Sequence, residues 1–259
     1  MPELPEVEHA VRRLRALLTG RVIAALRTHH RAQRRTLGAS AARRVAGRSV
    51  NDVSRRGKHQ FIHLDDGATL HVHFRMSGDW QATPLGAPLP PHTRLSLDLD
   101  DGTSVALTEP RALATVVLVR DPSRLPTLGP EADDPALDAR ALAAALTRRR
   151  GAIKPVLLDQ RVLAGVGNIY AAEALWHARI SPRAVAATLS ATRLTALLVG
   201  VRVALARGMA AGGRAGGATS HAFRVYDREG AACQRCRSAI RRITQAGRST
   251  YYCPRCQAR

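Results

Sequence analysis

The chain predicts an α+β protein in three parts: a leading helix with a β-sandwich or barrel, a helical region, and a small cysteine-bound hairpin. Three observations carry this. Asp-Gly turns separate alternating apolar runs in the first half, a strong hairpin signal. Helical periodicity takes over after a Pro-rich stretch. All four cysteines fall in the last 27 residues, as two Cys-x-x-Cys pairs.

Residues 3–18 read as a helix. Val7, Val11, Leu14 and Leu18 recur at helical spacing, Glu3, Glu6 and Glu8 sit where the helix dipole favours carboxylates, and Gly20 is placed to end it. From about 21 to 120 the pattern is strand-like. Phe61–Leu64, Asp65-Asp66-Gly67 and Thr69–Phe74 make one hairpin plan, repeated by Leu95–Leu99, Asp100-Asp101-Gly102 and Ser104–Leu107. Pro122, Pro126, Pro130 and Pro135 mark a linker over 122–135, which leaves 1–121 as the first domain. A helical domain follows over 136–220, with helices expected at Leu137–Leu146, Val156–Leu163, Asn168–His177 and Ala191–Met209. Gly165-Val166-Gly167-Asn168 reads as a tight turn, and residues 211–220 as a flexible loop. The last part, 221–259, has short strands around the cysteine pairs, beginning with Phe223–Tyr226.

A formal net charge of +20 and a sequence pI near 11.5 point to a polyanionic partner. Nucleic acid is favoured over membrane, because no apolar run is long enough to span a bilayer and no secretory signal opens the chain. The basic residues are spread along the chain, which suggests a folded surface and not a tail. Aromatics make up only 3%, which argues against base-stacking platforms. Only two of the 40 basic residues are lysine, Lys58 and Lys154. Lysine is a compact charge whose amine loses its proton when desolvated, so these positions suit phosphate contact or acid–base work.

Cys233-x-x-Cys236 and Cys253-x-x-Cys256 are separated by 16 residues, the spacing of a four-thiolate zinc site on a hairpin. Four protein ligands leave no open position, so one structural zinc ion is expected. Two disulfides or a redox pair would need an oxidising compartment or a thioredoxin-like context. Alone, the module equally fits a ribosomal or transcriptional zinc ribbon. Arg237, Arg241, Arg242 and Arg248 lie between the pairs and give it a basic face.

The chain opens Met1-Pro2-Glu3-Leu4-Pro5-Glu6-Val7-Glu8. Proline in second place permits removal of Met1, and the secondary amine this exposes attacks aldehyde-like carbons to form a cationic iminium. An α-amino group titrates near about 8, so a useful fraction is unprotonated at neutral pH. Glu3 is placed for general acid or base work. Ordinary helix initiation by Pro and acidic residues is the plainer explanation of this segment taken alone. While Met1 remains attached, the Pro2 nitrogen is an amide and cannot react.

Six segments, in order, match one family together: residues 1–8, Arg-Arg-Gly-Lys at 55–58, His-Phe-Arg-Met-Ser-Gly at 73–78, Ile-Lys-Pro-Val-Leu-Leu-Asp-Gln at 153–160, Gly-Val-Gly-Asn-Ile-Tyr at 165–170, and the four-cysteine hairpin. The chain resembles the formamidopyrimidine-DNA glycosylase and endonuclease VIII family, closer to the former, over essentially its whole length. The resemblance implies an N-terminal β-sandwich with a leading helix, a helix–two-turns–helix domain and a zinc finger, with DNA in the cleft between domains. The implied enzyme is a bifunctional glycosylase and abasic-site lyase. It flips a damaged base from double-stranded DNA, displaces it by attack of the Pro2 amine on C1′, and cuts the strand by β,δ-elimination from the Schiff base. Abasic sites are substrates too. A cytoplasmic, nucleoid-associated bacterial enzyme is implied, with no membrane partner and no sign of an oligomer.

Carried over position by position, Pro2 is the nucleophile and Glu3 the acid/base residue, with Glu6 as a supporting carboxylate. Lys58 holds phosphate and assists elimination. Lys154 matches a lysine linked to damaged-purine recognition. His73, Asn168 and Arg248 match residues that grip phosphates beside the flipped nucleotide. Met76 and Arg111 match two of three side chains that fill the space the base leaves. The third is usually Phe in an Asp-Pro-Arg-Arg-Phe-Gly-like segment; here Glu109-Pro110-Arg111-Ala112-Leu113-Ala114 puts Leu113 there. Leucine still wedges a base step open but cannot stack as a ring does. A second departure is the short run from Gly213 to Phe223, where a longer loop usually caps an everted 8-oxoguanine. That brevity is more like endonuclease VIII. Specificity for oxidised pyrimidines or abasic sites therefore stays open beside specificity for damaged purines, as does a silent relative that only binds damaged DNA.

Overall fold

The computed structural model describes residues 1–212 and 223–258. The short capping loop and most of the flexible loop read from the sequence lie outside them. The chain divides into two compact units: Met1–Pro2 with Glu6–Pro126, and Glu3–Pro5 with Thr127–Arg259.

The first unit holds most of helix α1 (Leu4–Leu18) and eight strands: β1 (Val22–Thr28), β2 (Arg48–Arg56), β3 (His59–Leu64), β4 (Thr69–His73), β5 (Asp79–Pro84), β6 (Thr93–Leu99), β7 (Thr103–Thr108) and β8 (Thr115–Val119). The sheet order is β5-β7-β6-β1-β2-β3-β4-β8. Its middle is thin, since β1 and β2 pair only through Val22↔Ser49 and Ile23↔Arg48. Two four-stranded halves result. One core gathers Leu95, Leu97, Val105 and Leu107 from one half with Ile62, Leu70, Val72 and Val116 from the other. The expected sandwich is thus one continuous sheet closing over its own core, with the α1 face Val7, Val11, Leu14 and Leu18 packed into it.

Both expected hairpins form. His59↔His73 through His63↔Thr69 set the β3–β4 register, and Gly67 turns with φ +79°. In the β6–β7 hairpin Asp101 accepts from the Thr103 amide at 3.0 Å and Gly102 takes φ +82°. The strand-like reading of 21–120 needs one correction, because α2 (Arg31–Thr36) and α3 (Ala39–Val45) intervene between β1 and β2. Each buries a single residue, Gln33 or Val45, too little to print a helical period.

The stretch expected as linker is divided. The units part between Pro126 and Thr127. Beyond that point the Gly129 amide already donates to Gln160 O and the Ala132 amide to Ala164 O, inside the second unit. That unit contains α4 (Ala139–Leu146), α5 (Ile153–Leu157), α6 (Asn168–His177) and α7 (Ala191–Ala210), then a hairpin of β9 (Arg241–Gln245) and β10 (Arg248–Tyr252). Asp138 caps α4 through the Ala141 amide, and Ser190 caps α7. The helix expected at Val156–Leu163 is shorter and earlier. Side-chain bonds capture the backbone after Leu157: Asp159 accepts from the Arg161 amide, and Gln160 takes the Gly165 amide and donates to Val166 O. The strand expected at Phe223–Tyr226 is a bend and turn, for a reason given below.

Candidate active site and zinc module

Glu3 is buried, although it is an acidic residue at the very start of the chain. Its carboxylate sits at the N-terminus of α6, where backbone amides lack helical partners. Oε2 accepts from the Gly167 amide at 2.8 Å and the Tyr170 amide at 3.2 Å, and Oε1 from the Ile169 amide at 2.9 Å. The tight turn before α6 makes room for it: Gly165 has φ +94°, and the Leu4 amide donates to its carbonyl at 3.1 Å. Three donors on two oxygens fix both the place and the plane of this carboxylate.

Lys154 lies in α5 and is 1% exposed. Its ammonium is saturated, donating to Asn168 Oδ1 at 2.5 Å, Thr250 Oγ1 at 2.8 Å and Ser249 O at 3.1 Å. Asn168 Nδ2 donates to the same Ser249 carbonyl at 3.1 Å. Burial, only partly offset by attraction to Glu3 and reinforced by repulsion from Arg248, pulls the Lys154 pKa down to about 8. Glu3, Lys154, Asn168 and Arg248 therefore fall within one electrostatic neighbourhood. Lys154 joins the start of α6 to β10, whose first residue, Arg248, is exposed.

The remaining expected residues lie in the first unit. Pro2 is buried and Glu6 half-buried. Lys58 is 4% exposed and follows Gly57, whose φ of +56° makes the two-residue turn between β2 and β3. Both lysines of the chain are thus buried. His73 ends β4, and its Nδ1 accepts from the Arg75 amide at 2.9 Å, which assigns the ring proton to Nε2. Burial first, then the charges of His59, Arg75, Lys58 and His71, lower its pKa to about 3, so it stays a neutral donor. Met76, Arg111 and Leu113 are all exposed.

The four cysteine sulfurs lie within 4.8 Å of one another. Cys233 and Cys236 precede the β9–β10 hairpin, and Cys253 and Cys256 follow it. The Cys233 amide donates to Ser238 O and the Arg237 amide to Cys233 O, with Arg237 at φ +65°, so the first pair is a tight knuckle. Four thiols converging this closely suit a tetrahedral zinc ion. The module is fastened to α6: the Arg235 guanidinium stacks 3.7 Å over Trp176 and donates to its carbonyl at 2.6 Å, and Gln257 donates to Ile180 O.

Two buried carboxylates that organise nearby loops, Glu173 and Glu109, escaped sequence reasoning. Glu173 on α6 accepts from the amides of Arg224, Val225 and Tyr226, at 2.8, 2.8 and 3.0 Å. That is why 223–226 bends instead of pairing as a strand. Its signal was present, a single charge inside the apolar run 169–176. Glu109 is fully buried at the base of the Arg111–Leu113 loop. No spacing rule marks it.

Three family models account for nearly the whole chain: the formamidopyrimidine-DNA glycosylase N-terminal domain over residues 1–116, its H2TH domain over 128–220, and the zinc finger found in FPG and IleRS over 230–259. Formamidopyrimidine-DNA glycosylases of Novosphingobium aromaticivorans and of a Roseiflexus species are each 40% identical, over 99% of this chain and 100% of theirs. The Lactococcus lactis formamidopyrimidine-DNA glycosylase, solved non-covalently bound to DNA with an abasic site, superposes with a TM-score of 0.90 at 30% identity over 99% of this chain and 100% of that one. A MutM solved with DNA containing carbocyclic 8-oxo-G gives 0.91 at 30% identity over the full length of both. The chain belongs to the formamidopyrimidine-DNA glycosylase family.

Proposed function

We propose that this protein is a base-excision-repair glycosylase with abasic-site lyase activity, which removes oxidised or ring-opened bases from double-stranded DNA. The observation that carries the reading is the Glu3 carboxylate, buried at a helix N-terminus directly after a proline that becomes the N-terminal residue when Met1 is removed. Family membership and the DNA-bound neighbours support it.

The freed Pro2 amine attacks C1′ as the C1′–N bond breaks, and the base leaves with that electron pair and a proton. The nitrogen lone pair then expels O4′, which takes up a proton as the sugar ring opens, and the resulting iminium acidifies the C2′ hydrogens. Loss of that proton expels the 3′ phosphate, and a second elimination expels the 5′ phosphate. Glu3 moves protons at the sugar, with Glu6 in support. His73, through its Nε2 proton, and Asn168, Arg248 and Lys58 grip phosphates. Lys154 holds Asn168 and, through Ser249 O and Thr250, the backbone that follows Arg248. Met76, Arg111 and Leu113 fill the vacated space, with Arg111 facing the orphaned partner base. Zinc on Cys233, Cys236, Cys253 and Cys256 supplies structure and no chemistry. The site of action is the bacterial cytoplasm, on the nucleoid.

Borohydride trapping on a labelled duplex with one abasic site tests the chemistry. Mass spectrometry is expected to place the adduct on Pro2. Tight binding without an adduct, after confirmed loss of Met1, would leave a protein that only recognises damage.

A further inference from the structure

Glu109 follows β7 directly, is fully buried, and turns its side chain back along its own loop. Oε1 accepts from the Arg111 amide at 3.0 Å and from the Ser77 hydroxyl at 2.6 Å, and Oε2 accepts from the Leu113 amide at 2.5 Å. Ser77 adjoins Met76, in the turn after β4. One carboxylate therefore ties together two segments that are more than thirty residues apart in the chain, and both end in exposed apolar tips: Met76 is 38% exposed and Leu113 49%.

The loop needs such a tie. Ala112 sits at φ +55°, a left-handed conformation that costs about 1 kcal/mol or more without glycine. Arg94 holds the outer backbone, donating to Glu109 O at 2.5 Å and Pro110 O at 2.9 Å. Burial opposes the Glu109 charge, but the Ser77 hydroxyl and the amides of Leu113, Arg111 and Ala114 outweigh it and hold the carboxyl below its usual range. A buried charge is an expensive way to close a loop if closing the loop is all it does. A wedge that must keep its shape while parting a base stack gains from rigidity, because ordering its tips beforehand removes that cost from the flipping step.

We propose that Glu109 is a positioning residue that locks Met76, Arg111 and Leu113 into one rigid wedge, so that reading of the opposite base depends on the Ser77–Glu109 bond. This rests on the assignment of those three side chains to the space left by the flipped base.

Ser77→Ala is the sharper variant, since it cuts the tie between segments and leaves the amide bonds to Glu109 in place; Glu109→Gln is the second. Both are compared with the parent, Met1 removed, in single-turnover excision of a ring-opened purine opposite cytosine and opposite adenine. Lyase activity on a single-stranded abasic oligonucleotide, which has no stack to wedge, serves as the reference. Ser77→Ala is expected to slow duplex excision about tenfold, to narrow the cytosine-over-adenine ratio, and to leave the single-stranded reaction within about twofold. Met76→Ala and Leu113→Ala are expected to be non-additive in the parent and additive once Ser77 is alanine. An unchanged opposite-base ratio, or equal losses on duplex and single strand, overturns the proposal alone. If Met76→Ala and Leu113→Ala leave duplex excision intact, the wedge assignment fails and the proposal with it.

Discussion

A methyl group on Gly167 would stand 2.3 Å from Cδ of Glu3 and 2.5 Å from its Oε1. The backbone at Gly167 is extended, with φ −130° and ψ −159°, so alanine is conformationally acceptable there. The three atoms nearest such a methyl all belong to the Glu3 side chain. Gly167→Ala is therefore expected to displace Glu3 from the three amides it bonds, at a cost in stability, and to lower single-turnover base excision by about a hundredfold, the order expected for misplacing a reacting group by an ångström. DNA affinity should stay within a few-fold. Undiminished excision would show that the position of Glu3 does not matter. Glu3→Gln, which keeps the shape, should abolish excision with DNA affinity nearly intact.

Lys154 sets an alkaline limit. Its pKa in the fold is near 8, below the ordinary lysine value of 10.5, so its charged form is disfavoured by folding. Between those two pH values the unfolded chain binds the extra proton, and this group's contribution to stability rises with pH. Activity should move the other way. Once the ammonium is neutral it has one fewer hydrogen for Asn168, Ser249 and Thr250. A kcat/KM profile from pH 6 to 10 should show a falling limb near 8 that is absent from Lys154→Gln.

Chelation of zinc should loosen more than the hairpin. Cys233 and Cys253 share a core with Trp176, Val225, Ile240 and Tyr251. Tryptophan fluorescence is expected to change together with cysteine reactivity, and duplex affinity to fall, because metal and folding are coupled in such sites. Full affinity after verified zinc removal would count against a DNA-binding role for the module.

Removal of the Glu173 carboxylate should cost stability without touching chemistry. Glu173→Ala strands the amides of Arg224, Val225 and Tyr226 and is expected to destabilise by about 3 kcal/mol, the scale for buried groups left unsatisfied. Thermal denaturation measures it.

Affinity for duplex DNA should fall steeply with salt, by roughly 0.9 log units per tenfold increase in salt for each phosphate neutralised. Arg248→Ala is expected to reduce the slope by about one such step. A flat dependence in the parent would remove phosphate contact as the basis of binding.

The hairpins, α6 and the zinc knuckles were legible because local chemistry decides them: Asp-Gly at the turns, an apolar run, paired cysteines. The span of α6 matched its expected Asn168–His177 to the residue. What was hidden depends on partners far along the chain. Glu173 bends a segment about fifty residues away, and Gln160 halts α5 through carbonyls that periodicity does not encode. The short helices α2 and α3 were hidden for the opposite reason: they bury so little that their sequence carries no pattern. The candidate site was read mostly from resemblance. Its residues were named, but not that Lys154 would be saturated or that Glu109 would tie two loops.

The burial of Lys58 and Lys154 has a use at the bench. With 4% and 1% of their surface accessible and no third lysine in the chain, almost nothing on the folded protein competes for an acylating or reductively alkylating reagent. The remaining amine is the N-terminal one. With Met1 in place it sits on an exposed residue; once Met1 is removed it is the Pro2 nitrogen, the proposed nucleophile, on a residue that is itself buried. Amine-directed labelling before and after removal of Met1 would therefore read directly how far the fold lets a reagent reach the nucleophile.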